Sequence, residues 1–126
     1  MVIEIDFNSD EALYVQLRNQ IILGIATSRI KDGEALPSVR TLAEDIGINM
    51  HTVNKAYLTL KQDGFVRVDR RRGVVVSVDA DKLRTLAAMK NYLRPIVAAG
   101  IAKGVTKSEA EEIIGELYSE LMDELI

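Results

Sequence analysis

The stretch ALPSVRTLAEDIGINMHTVNKAYLTLKQDGFVRVDRRRGVVVSV, residues 35–78, holds two short helical patterns in close succession and then a change of period. Ser38 can cap a helix, because its hydroxyl accepts a bond from an amide that the first turn leaves free; Val39, Leu42, Ala43 and Ile46 then share one face. Gly47 stops that helix, since glycine takes up the left-handed turn that other residues resist. Asn49 caps the next one, whose Val53, Ala56, Tyr57 and Leu60 fall at the spacing of an apolar stripe. Asp63 and Gly64 close it. Beyond them the period drops to that of a strand: FVRVD and VVVSV are β-branched runs joined by RRRG, a hairpin by composition. Two helices separated by GIN, the second amphipathic and followed by a basic hairpin, describe a winged helix-turn-helix.

Working outward, Asp10 is expected to cap a first helix in which Leu13, Leu17, Ile21 and Ile25 recur every fourth residue and which ends near Ser28. RIKDGEALP breaks that period at Asp32-Gly33 and again at Pro37. On the other side, helix returns from Asp79 or Asp81, with Leu83, Leu86, Leu93, Ile96 and Val97 as its apolar set and Pro95 expected to kink it. GIAKGVT interrupts, and TKSE at 106–109 has the form of a capping box. The last helix carries Ala110, Ile113, Ile114, Leu117, Leu121 and Leu125 on one side. The expected fold is therefore mainly α with a small β hairpin. Residues 1–78 form a winged helix-turn-helix DNA-binding domain, and residues 79–126 a two-helix antiparallel dimerisation tail.

A chain of 126 residues accommodates one ordinary domain, or a small domain with an appendage. It has no cysteine and a single histidine, His51, so disulfides, thiol chemistry and multi-histidine metal sites are outside its reach. No apolar run approaches the roughly 20 residues of a membrane helix, and the acidic N-terminus lacks the form of a secretory signal, which points to the cytoplasm. The net charge of −3 hides a division. Residues 79–126 carry six basic and nine acidic groups, whereas residues 48–76 carry six basic groups against Asp63 and Asp69. Local field, not the average, decides whether a polyanion binds. There is no nucleophile with a base, no glycine-rich phosphate loop and no metal cluster, so neither an enzyme nor a cofactor is expected.

A recognition helix enters the major groove by its N-terminal end, where this chain places Asn49, His51, Thr52, Asn54 and Lys55. Asparagine can pair with an adenine edge, while hydroxyls, lysines and helix-end amides hold phosphates. Asn49 is also a cap, and the two roles are compatible. A lone His51 is more often an exposed or satisfied residue than a metal ligand. Arg40 sits in a first helical turn, where the helix dipole disfavours a cation; either an external anion or Glu44 one turn on accounts for it. Arg70, Arg71 and Arg72 are a solvated turn or a contact with DNA, and three adjacent like charges favour the contact.

The final 48 residues are too few for a stable core of their own. Their apolar stripes need a second surface, either the chain's own first domain or, more simply, another copy, making an isologous homodimer through Leu86, Leu93, Ile96, Val97, Ile113, Leu117 and Leu121. Glu112, Glu116 and Glu120 read as a solvated face.

Taken together, LPSVR, GIN, TV and AY resemble the DNA-binding domain of the GntR family of bacterial transcription regulators, over about residues 8–78. The short tail is similar to the YtrA subfamily. The resemblance implies that Ser38 and Arg40 meet double-stranded DNA, that Asn49, His51, Thr52 and Asn54 lie at the groove, and that Arg72 and Gly73 form the wing tip beside a phosphate or the minor groove. The polar recognition face and the basic wing point to a dimeric repressor of a palindromic operator, and the resemblance suggests transporter operons as targets. Three positions depart from the family pattern: Met50 replaces a frequent proline, His51 an asparagine and Arg71 a glycine, so the wing tip is expected to turn differently. A winged helix used for protein–protein contact is the alternative, and the polar recognition face weighs against it. The effector is not visible in the sequence: the tail is too short to enclose alone a pocket of roughly 300–1,000 Å³, which leaves the dimer interface as the place open to a ligand.

Overall fold

The computed structural model describes residues 1–123; Leu125, expected on the last helix, lies outside the described residues. Five helices and one hairpin follow in the order α1 (Leu13–Ala26), α2 (Val39–Ile46), α3 (Met50–Gln62), β1 (Val66–Asp69), β2 (Gly73–Val76), α4 (Lys82–Ala102) and α5 (Lys107–Asp123). They fall into two compact units, residues 1–79 and the residues from 80 onward.

In the first unit α1 and α2 both pack on α3, and β1 follows α3 against the same core. Leu17 and Ile21 of α1, Leu42 and Ala43 of α2, and Val53, Ala56, Tyr57 and Leu60 of α3 are buried together with Val66 and Val76 of the hairpin. Each Val, Leu or Ile side chain so buried contributes about 1.5–3 kcal/mol, and truncating Leu60 to alanine would cost about 2–5 kcal/mol. The apolar periodicity thus selects the faces that meet.

The ends of α2 and α3 are set by the residues expected to set them. Ser38 accepts from the Thr41 amide at 3.1 Å and Asn49 from the His51 amide at 2.7 Å, each cap being worth about 1 kcal/mol. Gly47 lies between the two helices at φ 73°, a left-handed conformation that costs a residue with a Cβ far more than glycine.

The start of α1 corrects the sequence reading. The helix begins at Leu13, with Ala12 in the cap position and no side-chain cap; Asp10 is exposed in a bend before it. Gln16 takes over the organising role from inside the helix. Its Nε2 donates to the carbonyls of Asp6 and Glu11, and its Oε1 accepts from the Asp6 amide, so the incoming chain is folded across the first turn instead of entering it straight.

The hairpin is antiparallel, with Val66 opposite Val76 and Asp69 opposite Gly73. A third extended segment, not anticipated from RIKDGEALP, lies on the free edge of β2. Ala35 bridges Val75, Leu36 donates to the Val74 carbonyl at 2.8 Å, and Val76 donates to the Glu34 carbonyl at 2.9 Å. Pairing of this kind leaves β2 with partners on both edges, which removes an exposed edge and ties the wing to the segment just ahead of α2.

In the second unit Asp81 caps α4 by accepting from the Arg84 amide at 3.1 Å. The helix runs through Pro95 to Ala102, so the interruption is shorter than GIAKGVT. Thr106 and Glu109 close the capping box before α5, with bonds of 2.9 and 3.2 Å. Neither α4 nor α5 has a buried residue, and among the described residues the two do not pack on each other along their length. No helix among the described residues is long and apolar enough to cross a membrane.

Candidate nucleic-acid interface

The register of α3 decides what the first unit shows to solvent. With Val53, Ala56, Tyr57 and Leu60 committed to the core, Asn49, His51, Asn54 and Lys55 are exposed and Thr52 is half-buried. The Asn49 side-chain oxygen is used by the His51 amide, and its amide nitrogen has no hydrogen-bond partner among the described residues. The start of α3 also presents main-chain N–H groups and the positive end of the helix dipole, an arrangement that suits an anion.

Lys55 does not hang loose. Its Nζ lies 4.1 Å from the centre of the Tyr14 ring on α1, within cation–π range. Leu13, Tyr14, His51, Thr52 and Lys55 line one shallow depression between α1 and the first two turns of α3. Asn54 belongs to a different neighbourhood, a crevice between α3 and the hairpin shared with Leu58, Lys61, Val68 and Val74.

Ser38 serves as the cap and its hydroxyl also donates to the Thr41 hydroxyl at 2.9 Å, which leaves it one acceptor lone pair and no proton to donate outward. Arg40, two residues on, is exposed and has no hydrogen-bond or ion-pair partner among the described residues, so Glu44 does not neutralise it. A free guanidinium in the first turn of a helix is left to meet an anion from outside.

At the hairpin, Arg70, Arg71 and Arg72 occupy the turn and are exposed, followed by Gly73 at φ 76°. Arg71 does not adopt a positive φ. The Arg72 guanidinium folds back and donates to the Gly33 carbonyl. Asp69 accepts from the amides of Arg71 and Arg72 at 2.8 and 3.1 Å, and these bonds, with the Arg67 guanidinium 3.4 Å away, hold its carboxyl below the usual aspartate range.

Three residues outside the sequence-derived set shape this surface. Tyr57 donates to the Pro37 carbonyl at 2.7 Å, Arg18 pairs with Asp63 at 3.0 Å across α1 and the end of α3, and Tyr14 holds Lys55. The first two contacts join residues 20 and 45 positions apart, beyond the reach of local patterning. Asp69 did carry a local signal, because an aspartate just before a turn commonly accepts from the amides two and three residues on.

The family model described as bacterial regulatory proteins, gntR family, matches residues 10–76, which span all of these elements from α1 to the end of the hairpin. The chain belongs to the GntR family. Among its relatives, an HTH-type transcriptional regulator of Mycobacterium tuberculosis is 34% identical over 109 residues, covering 86% of this chain and 87% of that protein. The HTH-type transcriptional repressor YtrA of Bacillus subtilis is 30% identical, covering 95% of each chain. The solved structure of YtrA from Sulfolobus acidocaldarius, a GntR-family transcription factor, is 39% identical with a TM-score of 0.68, over 81% of this chain and 99% of that one. As a member of the GntR family the protein is a DNA-binding transcription regulator with a winged helix-turn-helix, not an enzyme.

Proposed function

We propose that this GntR-family protein is a cytoplasmic homodimer that represses transcription by occupying a palindromic operator in double-stranded DNA. The observation that carries the DNA side is the division of α3 into a buried apolar face and an exposed polar N-terminal face. On this reading, residues 1–78 are the DNA-binding domain. Asn49, His51, Thr52, Asn54 and Lys55 enter the major groove, Ser38 and Arg40 meet its edge, and the wing turn carrying Arg70, Arg71 and Gly73 meets the flanking backbone, with Arg72 bracing the turn against the Gly33 carbonyl.

Residues 79–126 are the dimerisation domain. Leu86, Ile96, Val97, Ile113 and Leu117 are exposed, while Leu93 and Leu121 are only half-buried, in a unit that covers none of its own helices. A second copy supplies the missing cover, and its two-fold symmetry produces the palindrome. Repression is supported by the similarity to the Bacillus protein named a repressor; a transporter operon as target is what the resemblance to the YtrA subfamily suggests.

Selection of random duplexes by the purified full chain tests the reading. The expected product is a pseudo-palindrome with half-sites about one helical turn, roughly 34–36 Å, apart. Arg40→Ala should lower affinity for it while leaving the fold intact. Recovery of no consensus, with weak binding indifferent to sequence, would favour a protein-contact module instead.

A further inference from the structure

Four arginines, at positions 67, 70, 71 and 72, surround one carboxylate, that of Asp69. If the hairpin tip served only to meet phosphates, this carboxylate would be out of place, because it weakens the local positive field. Its geometry gives a different account. Oδ1 accepts from both the Arg71 and the Arg72 amide, at 2.8 and 3.1 Å, while Oδ2 lies 3.4 Å from the Arg67 guanidinium. Residues 70–72 turn without any positive φ, and only Gly73, at φ 76°, takes the left-handed conformation. The side chain of Asp69 thus closes a turn that Arg71 occupies without a left-handed backbone. With the turn closed and Arg72 folded onto Gly33, the guanidinium groups of Arg70 and Arg71 are exposed and without a protein partner among the described residues.

We propose that Asp69 is a positioning residue of the DNA-binding wing: it holds residues 70–72 in a closed turn that directs Arg70 and Arg71 toward the phosphate backbone, and this ordering outweighs the repulsion between its own charge and the DNA. The proposal rests on the DNA-contact reading of the wing given above.

Two substitutions separate geometry from charge. Asp69→Asn removes the charge and retains an oxygen that can accept from both amides. Asp69→Ala removes both. A purely electrostatic role predicts that the two variants bind DNA equally, each more tightly than the parent. A positioning role predicts that they diverge.

The test is fluorescence anisotropy with the full chain on two duplexes, the operator selected from random DNA and a scrambled duplex of the same composition. Asp69→Ala is expected to bind both roughly tenfold more weakly than Asp69→Asn, with Asp69→Asn within about threefold of the parent or tighter. The amide resonances of Arg71 and Arg72 should stay near their parental positions in Asp69→Asn and move toward random-coil values in Asp69→Ala. Equal binding by the two variants, whether stronger or weaker than the parent, overturns the proposal. Loss of operator preference in the parent would sink the palindrome reading alone, since the scrambled duplex still reports phosphate contact. Failure of the parent to bind either duplex would remove both.

Discussion

The Tyr57 hydroxyl donates to the Pro37 carbonyl at 2.7 Å, so a side chain in the middle of α3 grips the residue just ahead of the α2 cap. The segment that leads into Ser38 and Arg40 and the helix that begins at Met50 are thereby fixed to each other. Tyr57→Phe should lower unfolding free energy by about 1 kcal/mol in chemical denaturation. An unchanged midpoint would show that the bond contributes nothing net.

The same phenol predicts an alkaline limb. Burial pushes its pKa above the ordinary 10.0, because the ionised form is disfavoured inside the protein. As pH rises through 10.0 the unfolded chain loses this proton while the folded chain keeps it, so stability falls over that range and is intact below it. Tyr57→Phe should show a smaller alkaline loss in melting temperature than the parent; parallel curves would refute the assignment.

Lys55 and Tyr14 can be separated by paired substitutions. Tyr14→Phe keeps the aromatic face and should leave operator affinity within about twofold of the parent, whereas Tyr14→Leu frees Lys55 and should weaken binding about two- to fivefold, the range of an exposed cation–π contact. If Tyr14→Phe were as weak as Tyr14→Leu, the hydroxyl rather than the ring would be the important part.

His51 is exposed in the first turn of α3, and its ring makes no hydrogen bond or ion pair among the described residues. Repeating the operator selection with His51→Asn and His51→Ala should alter the preferred base at one position in each half-site, by about 1–3 kcal/mol if the imidazole reads that base. An identical consensus from all three proteins would leave His51 without a role in base choice.

Glu109 links the α5 capping box to pH. Its carboxylate accepts from the Thr106 amide, and this bond holds its pKa below the ordinary 4.5. Its contribution is therefore present above pH 4.5 and is lost as pH falls through the depressed value. In Glu109→Gln the side-chain oxygen can still accept, so acid titration of helix content by circular dichroism should lose part of its low-pH slope. A slope identical to the parent's would count against the box.

Much of the first unit was legible because its signals are local. Ser38, Gly47 and Asn49 stand where their own chemistry ends or begins a helix, and Val53, Ala56, Tyr57 and Leu60 define a face without reference to anything distant. Asp10 misled because a good capping residue was available three positions before the helix, while Gln16 acted from within it. Residues 33–36 showed only a turn signal, and their pairing with β2 depends on a strand about 40 residues further on, so nothing nearby announces it. Arg72 reads from the sequence as one of three cations in the turn, and its bond to the Gly33 carbonyl, 39 positions away, has no local signal. In the tail, periodicity identified the apolar positions, but a stripe on one helix does not name the surface that covers it.

The third segment beside β2 changes what kind of object the wing is. A free hairpin would sway and search for its contact, at an entropic cost each time it settled. Here the hairpin is bracketed from the far edge by residues 33–36, and those lead through Pro37 into α2. The distance between the wing tip and the N-terminal end of α3 is thus a dimension of the folded chain, like the gauge of a track. On the proposed DNA contacts, a duplex is accepted or refused by whether its own spacing already suits that gauge.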